Sequence, residues 1–461
     1  YWECDSNNLP TSIVCGWNGV FCTRRRITGI IASFLTGSLP AIIGRLSALQ
    51  TLHLDGSAVT GSLPTSIGHC TSLTLLQAIG MGLCGSVPSS IGLLTRLKTL
   101  LLNDNSFTGS IPSSIALMTA LSLMDLSDND FSGALPSDLS PLTALSYLEL
   151  KGNRLSDTLP TSLWGLVVST SLKSLSLSDN SFRGPIPSSI ALLTKLTFFS
   201  GDNNLFTGSI PTSVGTMSAL QFLSIDAKSE ARNVLEGPIP SALFMHSQLT
   251  CLSLFGNSLT GSLPVFISAM QSLRYLNLGR NLLSGTIPSQ LGLPQLYAVD
   301  LSGNVFSGTI PPTLSRLDAL VLSYNVLTGS IPASLMATDL RLNRNRLTSF
   351  SSNYCYNYRA HGCIERCYYN YNYCCRYGYS DTCRVTRQYE VLLLDGNSIN
   401  SIPSCVSGDS PTCAKIYGSE SLPSDYVSSY PKTVSAYPKT WSSYPKTLSS
   451  YPKTLTSSSS G

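Results

Sequence analysis

Apolar and polar positions recur in one fixed phrase along most of the chain. Its clearest copy, residues 97–112 (Leu-Lys-Thr-Leu-Leu-Leu-Asn-Asp-Asn-Ser-Phe-Thr-Gly-Ser-Ile-Pro), has the skeleton LxxLxLxxNxFxGxIP. The phrase closes at Pro40, Pro64, Pro88, Pro112, Pro136, Pro160, Pro187, Pro211, Pro240, Pro264, Pro288, Pro311 and Pro332. Successive spacings are 24 five times, then 27, 24, 29, 24, 24, 23 and 21. A period of this size predicts a solenoid, in which each coil buries its apolar side only against its neighbours. Leu100-Leu101-Leu102 predicts a short strand with even-numbered residues inside the coil and odd ones facing out.

The polar positions of the phrase have their own logic. Asn105 lies seven residues before Pro112, where its amide can turn the chain and satisfy backbone groups of adjacent coils. Ten of thirteen units carry the same residue there: Asn105, Asn129, Asn153, Asn180, Asn204, Asn233, Asn257, Asn281, Asn304 and Asn325. The first three have Ser33, Ser57 and Met81 instead. Gly109 allows a backbone conformation closed to other residues, and Pro112 stops the strand from running on. Asp157 replaces that glycine once, so one turn is expected to be slightly altered.

These motifs resemble the plant-type leucine-rich repeat, the LxGxIP class of receptor-kinase ectodomains, polygalacturonase-inhibiting proteins and leucine-rich-repeat extensins. The resemblance runs roughly from Cys15 to Cys413. It implies an α/β repeat solenoid, a right-handed superhelix with a strand-lined inner face used for binding. Cys15-Gly-Trp-Asn-Gly-Val-Phe-Cys22 resembles the CxWxGVxC cap of that family. The resemblance implies that Trp17 covers the open apolar end and that Cys15–Cys22 is its staple. Five regions follow: an N-terminal cap (1–26), repeats (27–352), a Tyr/Cys-rich insert (353–388), a last repeat with C-terminal cap (389–417) and a tail (418–461).

The strand residues, read out coil by coil, give the expected inner face. Its acids are Asp104, Asp125, Asp128, Glu149, Asp179, Asp202, Asp226 and Asp300, opposed by Lys151 and Arg280. One column carries Tyr147, Phe198, Phe222 and Tyr275. An acidic groove with an aromatic stripe suits a basic, Tyr- or Pro-bearing peptide, or a sugar chain stacked on the rings. The competing reading is that exposed strand positions simply favour Asp, Ser and aromatics. Two units are enlarged, one by Val167-Val168-Ser169, the other by a charged stretch from Ala227 to Ala231 beside the inner face. Surface insertions are tolerated cheaply, so a harmless loop explains either.

The insert holds Cys355, Cys363, Cys367, Cys374, Cys375 and Cys383, with nine tyrosines from Tyr354 to Tyr379. The spacings are not those of paired CxxC ligands, so three local disulfides are expected rather than a metal site. Cys405 and Cys413 are expected to close the C-terminal cap. Cys70 and Cys84 could pair, whereas Cys4 and Cys251 have no evident partner. In the tail, Tyr-Pro-Lys-Thr starts at Tyr430, Tyr437, Tyr444 and Tyr451, a period of seven. Such composition predicts an extended chain with no core of its own. Lys432, Lys439, Lys446, Lys453 and Trp441 are its candidate contacts with an inner face. Pro431, Pro438, Pro445 and Pro452 are candidates for hydroxylation, and Thr433, Thr440, Thr447 and Thr454 for O-linked sugar. The arrangement resembles the tail of leucine-rich-repeat extensins, and no Asn-x-Ser/Thr occurs anywhere, so any sugar is expected to be O-linked.

Composition narrows the function classes. Charged residues are 12% of the chain and the net charge is +4, which leaves no strong nucleic-acid footprint. Fourteen cysteines suggest an oxidising compartment, and a start at Tyr1 is what a processed secreted chain would show. No apolar run approaches the roughly 20 residues of a membrane-spanning helix. His53, His69, His246 and His361 are scattered and no nucleophile motif occurs, so neither catalysis nor a cofactor is expected. Two classes remain. One is an extracellular structural protein whose copies assemble into a fibre or matrix through array, insert and tail, with glycans or matrix polymers as further partners. The other is a soluble binding module, such as a receptor-like ectodomain or an inhibitor of a wall-degrading enzyme. The tail places the structural class first in this reading, because a binding module needs no such heptads.

Overall fold

The computed structural model describes residues 19–32, 35–164, 171–227, 233–335, 337, 339–351, 391–394, 396–399 and 415–417. Outside them lie Cys4, Cys15, Trp17, the enlarged loop at 165–170, the other at 228–232, the insert with its six cysteines, Cys405, Cys413 and the tail. Within them the solenoid is complete in outline. The first hairpin, Val20–Thr23 against Arg26–Ile31, is antiparallel. From Arg26–Ile31 onward every neighbour is parallel, through Thr51–His53, Leu75–Gln77, Thr99–Leu101 and their successors to Val391–Leu393 and Lys415–Tyr417, in one 17-stranded sheet. The register is one residue opposite its equivalent in the next coil, for example Leu123↔Tyr147 and Asp125↔Glu149. That register turns sequence columns into spatial columns, with coils about 4.8 Å apart.

Behind this inner sheet each coil makes two further layers. Just after the asparagine a second short strand pairs with its counterpart, giving an eight-stranded parallel sheet from Cys84–Gly85 to Ser258–Thr260. After the proline comes a 3-10 helix, as in Ser89–Leu93 and Ser113–Leu117. Five residues are too few to repay α-helix nucleation, and proline supplies the fixed φ with which the turn begins. The helices are tied by hydroxyls: Ser90 Oγ donates to the Thr65 carbonyl (2.5 Å) and Ser114 Oγ to that of Ser89 (2.6 Å). The core fills the space between layers. Its leucines at the strand centres, such as Leu76, Leu100, Leu148 and Leu175, are fully buried, and Phe107 stacks on Phe131 (6.0 Å) in a spine of phenylalanines under the second sheet.

The asparagine ladder is as expected. Asn204 Oδ1 accepts the Phe182 N–H (3.0 Å), while its Nδ2 donates to the carbonyls of Leu177 (2.9 Å), Gly201 (3.3 Å) and Asp202 (3.2 Å). The same set repeats at Asn129, Asn153, Asn180, Asn281 and Asn304, and continues past the expected ten at Asn345 and Asn397. Ser57 does half the task, donating to the Ala32 carbonyl (2.9 Å) and accepting the Leu35 N–H (3.2 Å). Met81 cannot, and Asn105 accepts the N–H groups of Met81, Gly82 and Leu83 itself.

One expectation is corrected, and one open pairing is settled. The turn at Asp157 is not altered: Asp157 takes the left-handed φ of 67° that glycine has elsewhere, as Gly109 does at 76°, and its strand stays paired with the next. An ion pair with Arg183 of the next coil holds it there, since aspartate is among the residues that tolerate this region. Cys70 and Cys84 do not pair. Cys70 is buried with its Sγ donating to the Ile43 carbonyl (3.2 Å), while Cys84 is exposed on the second sheet, and both are free thiols. Cys22 is disulfide-bonded, to a residue outside the described ones.

Candidate binding face on the inner sheet

Each coil offers the inner face two outward strand positions and a third at the strand exit. The first column reads Tyr147, Ser174, Phe198, Phe222, Cys251 and Tyr275 across successive coils. The expected aromatic column is therefore real in register, but serine and cysteine divide it. Only Phe198 and Phe222 are adjacent, and their rings stack at 4.4 Å with planes 15° apart. Tyr147 and Tyr275 stand half-buried at either side.

Most of the expected acids do not sit in an open row. Asp125, Asp202 and Asp226 are buried at 9%, 4% and 6% exposure, and Lys151 at 7%. Close coil spacing lets neighbouring side chains cover these groups, and hydroxyls make the burial tolerable. Asp202 Oδ1 accepts from Ser224 Oγ (2.6 Å) and from the Asp226 N–H (2.8 Å). Asp226 Oδ1 accepts from Ser253 Oγ (2.6 Å) and the Phe255 N–H (2.8 Å). Ser178 and Ser200 share a hydrogen bond of 2.6 Å, and Ser178 Oγ also accepts the Asp202 N–H (3.1 Å), so one polar ladder crosses four coils beside the phenylalanine pair. Asp104, Asp128 and Asp179 belong elsewhere: they occupy left-handed turns (φ 56°, 51° and 56°) at the strand exits and line the edge rather than the floor. Arg280 holds the same turn position (φ 52°), over the Phe255 ring at 5.5 Å.

Glu149 and Asp300 are the two acids that the face holds above their ordinary range. Burial, then the neighbouring Asp125 carboxylate, pushes Glu149 up to about 8, against hydrogen bonds from Ser174 and Ser176 and the charge of Lys151. Ser174 Oγ lies 2.7 Å from Glu149 Oε1. Asp300 is raised by burial, which its hydrogen bonds from Ser302 Oγ (2.6 Å) and N–H (2.8 Å) only partly offset. Sequence reasoning missed the serine ladder, Asn103, Asp55 and the Asp339–Arg341 pair, in which Arg341 Nε lies 2.8 Å from a carboxylate that is 1% exposed. Column position would have found them all, had serine and asparagine been counted as well as charge. His246 is a core residue, its Nε2 3.0 Å from the Val214 carbonyl. Among the described residues no three His, Cys, Asp or Glu converge as metal ligands, and no helix is long and apolar enough to cross a membrane.

Comparison with known proteins decides the family. Matches to the Leucine Rich Repeat family fall on residues 96–118, 144–166, 171–193, 248–270, 272–293 and 295–317. Among solved structures, the Arabidopsis receptor kinase HAESA, in complex with the peptide hormone IDA and the co-receptor SERK1, is 30% identical at a TM-score of 0.56. That match covers 73% of this chain and 69% of the other. The chain belongs to the leucine-rich-repeat family. This leucine-rich-repeat chain is also similar to the plant peptide hormone receptor RGFR1 in complex with RGF2, at 33% identity and a TM-score of 0.60 over 68% of this chain and 54% of that one. It is similar to PEPR1 in the PEPR1-AtPEP1 crystal structure, at 29% identity and a TM-score of 0.64 over 75% and 56%. The leucine-rich-repeat chain thus spans little more than half the length of those two receptors. No curated protein sequence matches it.

Proposed function

We propose that this protein is an extracellular binding module whose inner face takes an extended peptide across the Phe198–Phe222 stack. The stacked pair carries the reading: two large apolar rings lie side by side on the inner face, next to a ladder of serine and aspartate. Aromatic anchors of this kind supply most of an interface's binding energy, and polar groups around them set orientation. The similarity to peptide-bound plant receptors supports it. Tyr147, Tyr275 and the edge acids Asp104, Asp128 and Asp179 would flank the peptide, with Asp125, Glu149, Asp202, Asp226 and Asp300 shaping the field beneath.

The test is selection of random dodecapeptides on the full-length protein. Binders should weaken about tenfold or more on Phe222→Arg, which removes an anchor and projects charge into the path. They should not respond to Thr260→Arg on the second sheet. Peptides that ignore Phe222 but lose binding with the second-sheet variant would refute the reading.

The heptad tail favours a second reading, in which copies of the chain assemble into a fibre or matrix through tail lysines and Trp441 docked in a neighbour's inner face. Each exposed ion pair would add only about 0–1 kcal/mol, so aromatic packing would have to supply the affinity. Exchange of a tail between copies is heterologous and does not close, which yields a filament. Removal of residues 418–461 should then leave a monomer by light scattering. An unchanged polymer after that deletion removes the tail from the assembly.

A further inference from the structure

We propose that Asn103, Asp125 and Glu149, on three consecutive coils of the inner face, form a subsite for an ammonium or guanidinium group of the bound peptide. This rests on the reading of that face as a peptide surface. The observation behind it is an unmet acceptor. Asn103 is 7% exposed, and its Oδ1 has no hydrogen-bond partner. Its amide cannot simply be reversed, because Nδ2 donates to Asp104 Oδ2 at 3.0 Å, and an oxygen turned that way would face a carboxylate.

The ladder shows why this oxygen is stranded. At the equivalent position of other coils, Asp55, Asp202 and Asp226 each accept the N–H of the next coil's strand exit: Ile79 (3.0 Å), Asp226 (2.8 Å) and Phe255 (2.8 Å). The corresponding donor for Asn103 is Ser127. Asp125 Oδ1 takes both the Ser127 N–H (3.0 Å) and its hydroxyl (2.6 Å), so the acceptor on the preceding coil is left over. A buried acceptor of this kind is rare and is completed by a ligand or an ordered water.

The surroundings specify the missing group. Asp125 faces Glu149 in register, so an orphaned carbonyl oxygen and two carboxyl groups succeed one another on adjacent coils. These three acceptor groups outnumber the one ammonium beside them, that of Lys151, and so favour a donor carrying several N–H groups and positive charge, which a lysine ammonium or arginine guanidinium supplies and a carboxylate or phosphate does not. Convergent metal ligands are absent among the described residues, which favours an organic cation. Burial, and after it the Asp125 carboxylate, keeps a proton on Glu149, and a cation bound between the two carboxyl groups would offset both. Lys151, Ser174 and Ser176 are the other groups facing that carboxyl.

The test uses the full-length protein and the dodecapeptides selected on it. Binders should carry Lys or Arg at one fixed position, and a Gln substitution there should weaken them about tenfold, the usual scale for a charge-assisted contact. Asn103→Leu and Glu149→Gln should each weaken the cationic peptide and leave the Gln peptide nearly unchanged, a coupling that a double-mutant cycle isolates. Asn103→Leu should also keep or raise the melting temperature, since it deletes an unmet acceptor, whereas a purely structural asparagine would lower it. Asn103→Ala repeats the measurement if leucine does not fit. Equal weakening of both peptides, or a cation preference that survives both variants, overturns the subsite. Binders that depend on Phe222 but show no cation preference overturn the subsite and leave the peptide face standing. If no binder responds to Phe222, the peptide face itself fails.

Discussion

Asn204→Ala should destabilise the solenoid by about 3 kcal/mol or more in urea denaturation, among the largest effects of any polar substitution in the chain. Asn204 is fully buried and serves four backbone groups, the Phe182 N–H and three carbonyls. Alanine leaves them unsatisfied in a dry interior, where each costs about 1–3 kcal/mol before relaxation. Asn204→Asp should not rescue the loss, because a carboxylate accepts but cannot donate to those carbonyls. The same change at Ser57 should cost less, about 1 kcal/mol, since it makes two such bonds in the first coils. Equal, small losses at both positions would mean that the ladder adapts and that leucine packing alone holds the coils.

Stability should fall as pH rises through the neutral range, and Glu149→Gln should flatten that fall. Glu149 ionises near 4.5 in an unfolded chain but at about 8 in the folded one. Between those values the folded state holds a proton that the unfolded state has released, so each rise in pH favours unfolding. Below 4.5 both states are protonated, and above 8 both are ionised with the full destabilisation in place. The slope for one such group approaches about 1.4 kcal/mol per pH unit, less whatever solvent at the half-buried carboxyl screens away. Asp300, raised by burial, adds a slope of the same sign that the variant does not remove. Melting curves of parent and variant from pH 4 to 9 decide the matter: parallel curves would place the Glu149 ionisation near its ordinary value.

The array was legible because its physics is local and repeated. A leucine column that must be buried, an asparagine that must satisfy turn backbone and a proline that must end a strand recur too regularly for another fold. The register followed from that regularity, and with it the placing of Tyr147, Phe198, Phe222 and Tyr275 in one column. Asp104, Asp128 and Asp179 were misplaced because a turn residue and a strand residue differ by one or two positions, and only the left-handed backbone shows which is which.

The order of functions was less legible. The tail's heptads argued for assembly, whereas the similarity to solved receptors favours binding, and the heptads lie outside the described residues. Sequence by itself determined the coil, its ladder and the columns of its inner face, since each depends on residues within one repeat and its neighbours. Only the tertiary structure decided which acids are buried, that Asp157 keeps a glycine's turn, that Cys70 and Cys84 stay apart, and that Asn103 is left with an unmet oxygen. Those outcomes depend on competition between side chains of different coils, as when Asp125 takes the donor Asn103 would have used, and a repeat pattern carries no record of which competitor wins.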